Sequence, residues 1–143
     1  MSEFVLDASV AMRWALQDGS EADRGYARKV LESLSGAAAW VPALWYTETI
    51  HVLQCAEFDG KIGESVIAGI VYQFGQLPIN LDTVSPMAIQ LAVGSVSREF
   101  KITGYDAQYL ELAIRKSIPI ATLDKDLRKA AKKAGVAVYL AAS

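Results

Sequence analysis

The sequence is poor in cysteine and histidine, with one residue of each, Cys55 and His51, among 143. A single cysteine excludes a disulfide framework within the monomer, and a reducing cytoplasm is the simplest compartment for such a chain. Long apolar runs are missing too, because polar residues interrupt the longest uncharged run, residues 65–81, whereas a membrane helix needs ~20 mostly apolar residues. The first apolar stretch, FVLDASVAMRWAL, lacks the basic start and the cleavage site of a signal peptide. We therefore expect a soluble, cytoplasmic protein.

Neither sign of charge is in strong excess. The chain has 14 Lys and Arg against 16 Asp and Glu, which gives a formal net charge of −2. This balance argues against a general nucleic-acid coat or a membrane-surface protein, although it allows a local basic patch. Because 52% of the residues are hydrophobic, the chain is able to bury a substantial core. Its length fits one domain over residues 1–143.

Strands and helices are predicted to alternate along the chain. Short apolar segments predict strands at residues 3–7, 37–42, 118–122 and 136–140, with a short strand or an extended link at 78–84. Helical spacing predicts helices at about 9–17, 21–34, 42–58, 64–76, 86–100, 106–116 and 124–134. The helix at 64–76 is apolar almost all round, so it is either buried or part of a subunit interface. This alternation predicts a three-layer α/β/α domain with a mainly parallel central sheet.

Three acids stand where helices are predicted to begin. Asp7 and Asp124 follow apolar strands directly, and Asp106 opens a helix after a glycine turn. Taken singly, each is explained as a cap or first-turn acid that stabilises its helix by ~1 kcal/mol. Ser9 is a further candidate cap for the first helix. In parallel α/β sheets, however, ligands bind beyond the carboxyl ends of the strands, which is where these acids fall.

Glu48 lies well inside its predicted helix and therefore caps nothing. Its helical neighbours include Leu44, Trp45 and Val52, so the acid interrupts an apolar stripe. It must face a cleft, meet a cation or be exposed at the surface, because burial of an unpaired carboxylate is costly.

The four acids are more informative together than singly. If the strands that end at Asp7 and Thr122 are neighbours, Asp7 and Asp124 emerge at one edge, and Glu48 and Asp106 are within reach from flanking helices. Four carboxylates without a basic partner repel one another and raise one another's pKa values, and a divalent cation relieves that repulsion. An all-oxygen site favours Mg²⁺ or Mn²⁺ over zinc. One or two such ions are able to activate water for phosphodiester hydrolysis.

Four sequence blocks carry these acids: VLDASVAMRWAL, VPALWYTETIHVL, TGYDAQYLELA and IPIATLDKDLRKAAKKAGV. In their order and spacing, the chain resembles the PIN-domain ribonuclease toxins of VapBC toxin–antitoxin modules. The resemblance implies a carboxylate-lined pocket that binds Mg²⁺ or Mn²⁺. It implies that Asp7 and Asp106 are the main metal ligands and that Glu48 and Asp124 complete the catalytic pocket.

The resemblance also concerns three smaller features. Ser9 and Thr122 flank the first and fourth acids, where they either hydrogen-bond these acids or the scissile phosphate, or serve as a helix cap and a strand-end residue. The family often carries Asn three residues after the second acid, whereas this chain has His51. One turn from Glu48, His51 would bond that carboxylate or close the rim of the pocket.

The resemblance further implies partners. It implies a homodimer, an RNA substrate such as tRNA or rRNA, and a cognate antitoxin whose C-terminal segment blocks the groove of the toxin. The basic residues of the last predicted helix would contact RNA phosphates or form a solvated face. They are Lys125, Arg128, Lys129, Lys132 and Lys133.

The leading interpretation is thus a metal-dependent endoribonuclease, the toxin of a type II toxin–antitoxin module. A catalytically weak PIN-fold binding module, acting through its antitoxin or another partner, is the alternative. A third hypothesis is a phosphoryl-transfer protein with Asp7 as nucleophile. Phosphatases of that kind usually carry a second Asp two places on, where Ser9 stands here. A receiver domain would pair its acids early in the chain, whereas the later acids of this chain are far from Asp7.

Overall fold

The computed structural model describes residues 2–141 and shows a three-layer α/β/α fold. Four parallel strands form the sheet over these residues, in the order β3-β2-β1-β4: β1 (Ser2–Leu6), β2 (Ala37–Val41), β3 (Ile79–Leu81) and β4 (Ile120–Ala121). The helices are α1 (Ala8–Leu16), α2 (Glu21–Ser33), α3 (Leu44–Phe58), α4 (Glu64–Gly75), α5 (Pro86–Phe100), α6 (Gly104–Lys116) and α7 (Lys125–Lys133). The predicted fold class is confirmed.

β1 lies inside the sheet, between β2 and β4. Its apolar residues Phe4, Val5 and Leu6 are fully buried, as expected for a strand covered by helices on both faces. Val5 pairs with Ile120 and Leu6 pairs with Ala121, so β1 and β4 are parallel neighbours. The chain segments that follow these two strands therefore emerge side by side at one edge of the sheet.

The core lies between this sheet and the inner faces of the helices. Trp45 of α3 and Tyr109 of α6 are the largest fully buried side chains, and Val10 of α1 and Leu127 of α7 belong to the same hydrophobic core. Burial of the Val10 and Leu127 side chains contributes roughly 1.5–3 kcal/mol each. The helices that carry the acids are thus fixed firmly against the strands.

The structure corrects two predicted boundaries. Residues 136–140 do not form a strand: Val138 makes a single parallel bridge to Ile120, and the chain then turns at residues 139–140. β4 is only two residues long and gives this segment little backbone to pair with. The third helix begins at Leu44 rather than at Pro42, although the Pro42 carbonyl already accepts a bond from the Trp45 N–H.

Helix α4 is not buried as one of its two interpretations predicted. Ile67 is its one buried residue, whereas Val66, Val71 and Tyr72 are exposed. The interface interpretation of this helix remains a prediction. Within residues 2–141, no helix combines the length and the apolar character that a bilayer crossing demands.

Candidate active site

The four acids singled out in the sequence line one cavity of about 430 Å³ at the carboxyl end of the sheet. Asp7 follows β1, Asp124 follows β4 by three residues, and α3 and α6 supply Glu48 and Asp106. The cavity is also lined by Ser9, Arg13 and Asp23. Sequence reasoning missed Asp23, because the first turn of α2 carries no pattern that relates it to this edge of the sheet.

Asp7 is the most deeply buried of the four, with 7% of its surface exposed. Its Oδ2 accepts hydrogen bonds from Ser9 Oγ at 2.6 Å and from Thr122 Oγ1 at 2.7 Å. Burial raises the pKa of Asp7, the two hydroxyl donors partly offset this effect, and the nearby Asp124 adds to it. Asp7 occupies the N-cap position of α1, yet its side chain makes no capping bond within residues 2–141.

Ser9 and Thr122 therefore hold the first acid. Ser9 lies in the first turn of α1, so the interpretation of Ser9 as the cap is wrong. Its Oγ also accepts a bond from the Leu123 N–H at 3.0 Å, and Thr122 Oγ1 accepts one from the Asp124 N–H at 3.0 Å. The two hydroxyls thus join the segment after β4 to the start of α1 around the Asp7 carboxylate.

Asp106 is not the residue that caps α6. Thr103 takes that place, and its Oγ1 accepts a bond from the Asp106 N–H at 3.1 Å. The Asp106 carboxylate is therefore available to the cavity. Burial, followed by the charges of Asp124, Asp7 and Glu48, raises the pKa of Asp106 to about 6.

Asp124 does cap its helix, as predicted. Its Oδ1 accepts a bond from the Leu127 N–H at 2.9 Å at the start of α7. Capping and a position in the cavity are compatible here, because the N-terminus of α7 begins at the edge of the sheet.

Glu48 is half-buried, and its partner is a tyrosine rather than a cation. The Tyr109 hydroxyl donates to Glu48 Oε1 at 2.5 Å. Burial raises the pKa of Glu48, the Tyr109 donor partly offsets this effect, and the charge of Asp7 adds to it. Sequence reasoning missed Tyr109, although its position three residues after Asp106 places both on one face of α6.

The sequence matches the PIN domain family over residues 4–133. The chain belongs to the PIN domain family. No curated protein matches the sequence.

Solved structures from three organisms share the fold of this PIN domain. A protein of Pyrobaculum aerophilum is 19% identical with a TM-score of 0.67, over 90% of this chain and 86% of that chain. VapBC2 from Rickettsia felis, bound to a DNA fragment from its promoter, is 13% identical with a TM-score of 0.63, over 95% and 96% of the two chains. A toxin–antitoxin complex from Klebsiella pneumoniae is 17% identical with a TM-score of 0.57, over 86% and 88%.

His51 of this PIN domain stands apart from the carboxylate cavity. Its side chain is exposed, and its Nε2 lies 3.7 Å from Cys55 Sγ, one turn along α3. Over residues 2–141, the structure shows neither a bond from His51 to Glu48 nor a place for it in the cavity wall. Both roles suggested for the histidine are therefore unsupported in this conformation.

The donor set of this PIN domain suits a hard divalent cation, because it consists of carboxylate and hydroxyl oxygens. The raised pKa values of Asp7, Glu48 and Asp106 point the same way, since a cation would remove the repulsion that contributes to each. Even so, no three His, Cys, Asp or Glu side chains in the described part of the chain stand close enough to form a ready-made metal centre. The four acids line one space without meeting at one point.

Proposed function

We propose that this PIN domain is a Mg²⁺- or Mn²⁺-dependent endoribonuclease and the toxin of a type II toxin–antitoxin module. The observation that carries the proposal is the convergence of Asp7, Glu48, Asp106 and Asp124 on one cavity, from four separate segments of the chain. None of these acids makes an ion pair with a Lys or Arg of residues 2–141. Uncompensated carboxylates at a sheet edge are typical of a site that takes its cation from solution.

We assign the roles of the four acids from the resemblance to the VapBC toxins. Asp7 and Asp106 would hold the divalent cation, and Glu48 and Asp124 would complete its surroundings. When bound, Mg²⁺ or Mn²⁺ supplies an activated water and charge stabilisation for phosphodiester hydrolysis. Ser9 and Thr122 fix the Asp7 carboxylate through Oδ2, and Tyr109 fixes Glu48, so two of the acids are oriented before substrate arrives.

A cavity with three lysines on one side of Asp106 supports a nucleic-acid substrate. Lys101, Lys129 and Lys133 line this space of about 360 Å³ together with Asp126 and with Asp106, which it shares with the carboxylate cavity. Of the basic residues singled out on the last helix, Arg128 is engaged internally, since its Nε donates to the Thr122 carbonyl at 2.7 Å. We therefore assign the proposed RNA contact to the lysines, whereas Arg128 stabilises the segment that follows β4.

Exposed apolar surface supports the proposed partners. Val71 and Tyr72 of α4 and Met87 and Leu91 of α5 are at least half exposed. Such patches commonly mark protein interfaces. We assign this surface to a homodimer or to the cognate antitoxin, in keeping with the toxin–antitoxin complexes among the similar structures.

An RNA cleavage assay tests the proposal. Purified protein is incubated with RNA and Mn²⁺, with and without EDTA, beside the variants Asp7→Asn and Asp106→Asn. We expect cleavage by the unmodified protein with Mn²⁺, and at least ~100-fold less in EDTA or in either variant. Glu32→Gln, on the exposed side of α2, serves as the control and should cleave like the unmodified protein. Equal cleavage in all samples would mark the activity as a contaminant and refute the proposal.

The second candidate is a catalytically weak binding module. The absence of a ready-made metal centre in residues 2–141 favours it. It predicts tight binding of an antitoxin without RNA cleavage and without a heat of Mn²⁺ binding.

A further inference from the structure

A third polar cavity adjoins the carboxylate cavity on the side of α1 and α2. It measures about 520 Å³ and is lined by Arg13, Arg24 and Arg28, together with Trp14, Gln17, Ala27 and Leu31. No Asp or Glu lines this arginine cavity within the described residues. Arg13 lines both cavities, so the positive space begins where the acidic space ends.

The charges of the arginine cavity are weakly compensated. Arg13 Nη1 pairs with Asp18 Oδ1 at 2.7 Å, but Asp18 is mostly exposed, and solvent screens such a pair strongly. Across residues 2–141, Arg24 and Arg28 form no ion pair. Arg24 Nη1 donates to the Gly19 carbonyl at 2.6 Å, which fixes that side chain in place.

The turn after α1 holds Arg13 at the boundary of the two cavities. Gly19 has a φ of +87°, and a Cβ added there would stand 2.9 Å from Arg13 Nη1. Glycine therefore permits both the left-handed backbone and the close approach of the guanidinium. The buried Nε of Arg13 has no hydrogen-bond partner among the described residues, so one donor of this side chain is unused.

From this arrangement we propose that the arginine cavity binds a backbone phosphate of the RNA, next to the phosphate that enters the carboxylate cavity. The guanidinium group offers paired donors that match phosphate oxygens, and it keeps its charge at all physiological pH values. Positive charge beside the acids also offsets the repulsion between a polyanionic substrate and four carboxylates. This inference rests on the proposed nuclease function and adds the interaction that positions the strand.

An RNA-binding experiment in EDTA, where cleavage is suppressed, tests the inference. Fluorescence anisotropy is measured with a labelled single-stranded RNA for the unmodified chain and for the double variant Arg24→Gln/Arg28→Gln. Lys29→Gln/Lys61→Gln is the matched control, because it removes the same charge from exposed residues outside both cavities. We expect the arginine variant to bind about 10-fold more weakly and the control less than 2-fold more weakly. The slope of log affinity against log salt concentration should fall by about 0.7 for each phosphate that the variant no longer neutralises.

Two further readouts separate binding from folding and from the chemistry. In the Mn²⁺ cleavage assay, the arginine variant should show a raised KM with an unchanged kcat, and Arg24→Lys/Arg28→Lys should recover most of the affinity. Equal RNA affinity and KM for the arginine variant and the lysine control would overturn the inference. If unmodified protein shows no metal-dependent cleavage, the proposed function itself fails.

A polyglutamate probe distinguishes RNA from an acidic protein segment. If the arginine variant loses affinity for poly-L-glutamate while its RNA affinity stays unchanged, the cavity belongs to a protein partner and the inference is wrong. If RNA affinity falls and polyglutamate binds weakly to every form, the assignment to RNA is supported.

Discussion

Helix α6 contributes one acid to each of two clusters that the protein treats in opposite ways. Five residues after Asp106, Glu111 is buried with 5% of its surface exposed, and it is paired with Arg115 at 3.0 Å. Arg115 also reaches Asp82, just beyond β3, at 2.6 Å. These two acids raise the pKa of Arg115. The cluster of Glu111, Asp82 and Arg115 therefore contains its own cation.

In the carboxylate cavity, by contrast, four acids gather without such a partner, and the pKa values of Asp7, Glu48 and Asp106 are raised. Glu111 and Asp82 are thus neutralised within the chain by Arg115. The acids of the cavity retain an unfavourable charge density, as is common at functional sites. Removing the charge of Arg115 should therefore destabilise the folded protein, whereas removing the charge of an acid in the carboxylate cavity should stabilise it.

The largest expected effect comes from removing the internal cation. Arg115→Met leaves Glu111 buried and Asp82 nearly buried without a partner, so we expect a loss of about 3 kcal/mol in the free energy of unfolding. Urea denaturation measures this loss, with Lys29→Met on the exposed face of α2 as the control, at less than about 0.5 kcal/mol. A loss as small as that of the control would mean that Arg115 does not stabilise Glu111 and Asp82, and the contrast with the unpaired acids of the carboxylate cavity would then be wrong.

A smaller effect is expected at the hydroxyls that hold Asp7. Thr122→Val removes the bond to Asp7 Oδ2 and the acceptor of the Asp124 N–H, which should cost about 2 kcal/mol of stability. The same change should weaken Mn²⁺ binding, because the Asp7 carboxylate loses part of its orientation. Thr83→Val, on an exposed link, is the matched control and should change neither quantity. Unchanged Mn²⁺ affinity in Thr122→Val would show that orientation of Asp7 is unimportant.

The smallest effect is a pH dependence of the metal-free protein. The pKa of Asp106 rises from 3.8 to about 6 on folding, so the folded state binds more protons than the unfolded state between these values. The stability that the folded state gains by keeping Asp106 protonated is therefore fully present below about pH 4, and it is lost as the pH rises through 6 and the carboxyl ionises. Because Asp106 is only half-buried and solvent screens its charge, we expect a loss of about 1 kcal/mol.

Thermal unfolding in EDTA at pH 4.5 and pH 7.5 measures this dependence, with Asp106→Asn beside the unmodified protein. The variant should be the more stable of the two at pH 7.5 and should lose this part of the pH dependence. If Asp106→Asn unfolds more easily than the unmodified protein at pH 7.5, the carboxylates of the cavity do not repel one another as described.

Apolar strands followed by acids carry a strong local pattern, and this pattern predicted the sheet edge with Asp7 and Asp124. Asp106 was singled out by its place at a helix start, and Glu48 by its place in an apolar helical stripe. The pairing of β1 with β4, on which the convergence of Asp7 and Asp124 depends, could only be assumed from the sequence. Partners supplied by side chains from distant segments, such as Tyr109 for Glu48, have no local signature. The same holds for the arginine cavity, which exists because the turn at Gly19 folds Arg13 against α2.

The predicted start of α6 and the predicted strand at 136–140 were wrong for local reasons. Thr103 rather than Asp106 caps α6, since both residue types cap well and the sequence offers no way to rank them. Likewise, the apolar run at 136–140 has the composition of a strand, but the two residues of β4 give it one bridge only.

Isothermal titration calorimetry with Mn²⁺ tests the central claim most directly. We expect saturable binding to the unmodified protein at pH 7.5, loss of that binding in Asp7→Asn and Asp106→Asn, and normal binding in Asp82→Asn, which alters the cluster that has its own cation. Absence of Mn²⁺ binding in the unmodified protein, or equal binding in all four proteins, would contradict the account of the carboxylate cavity as a cation site.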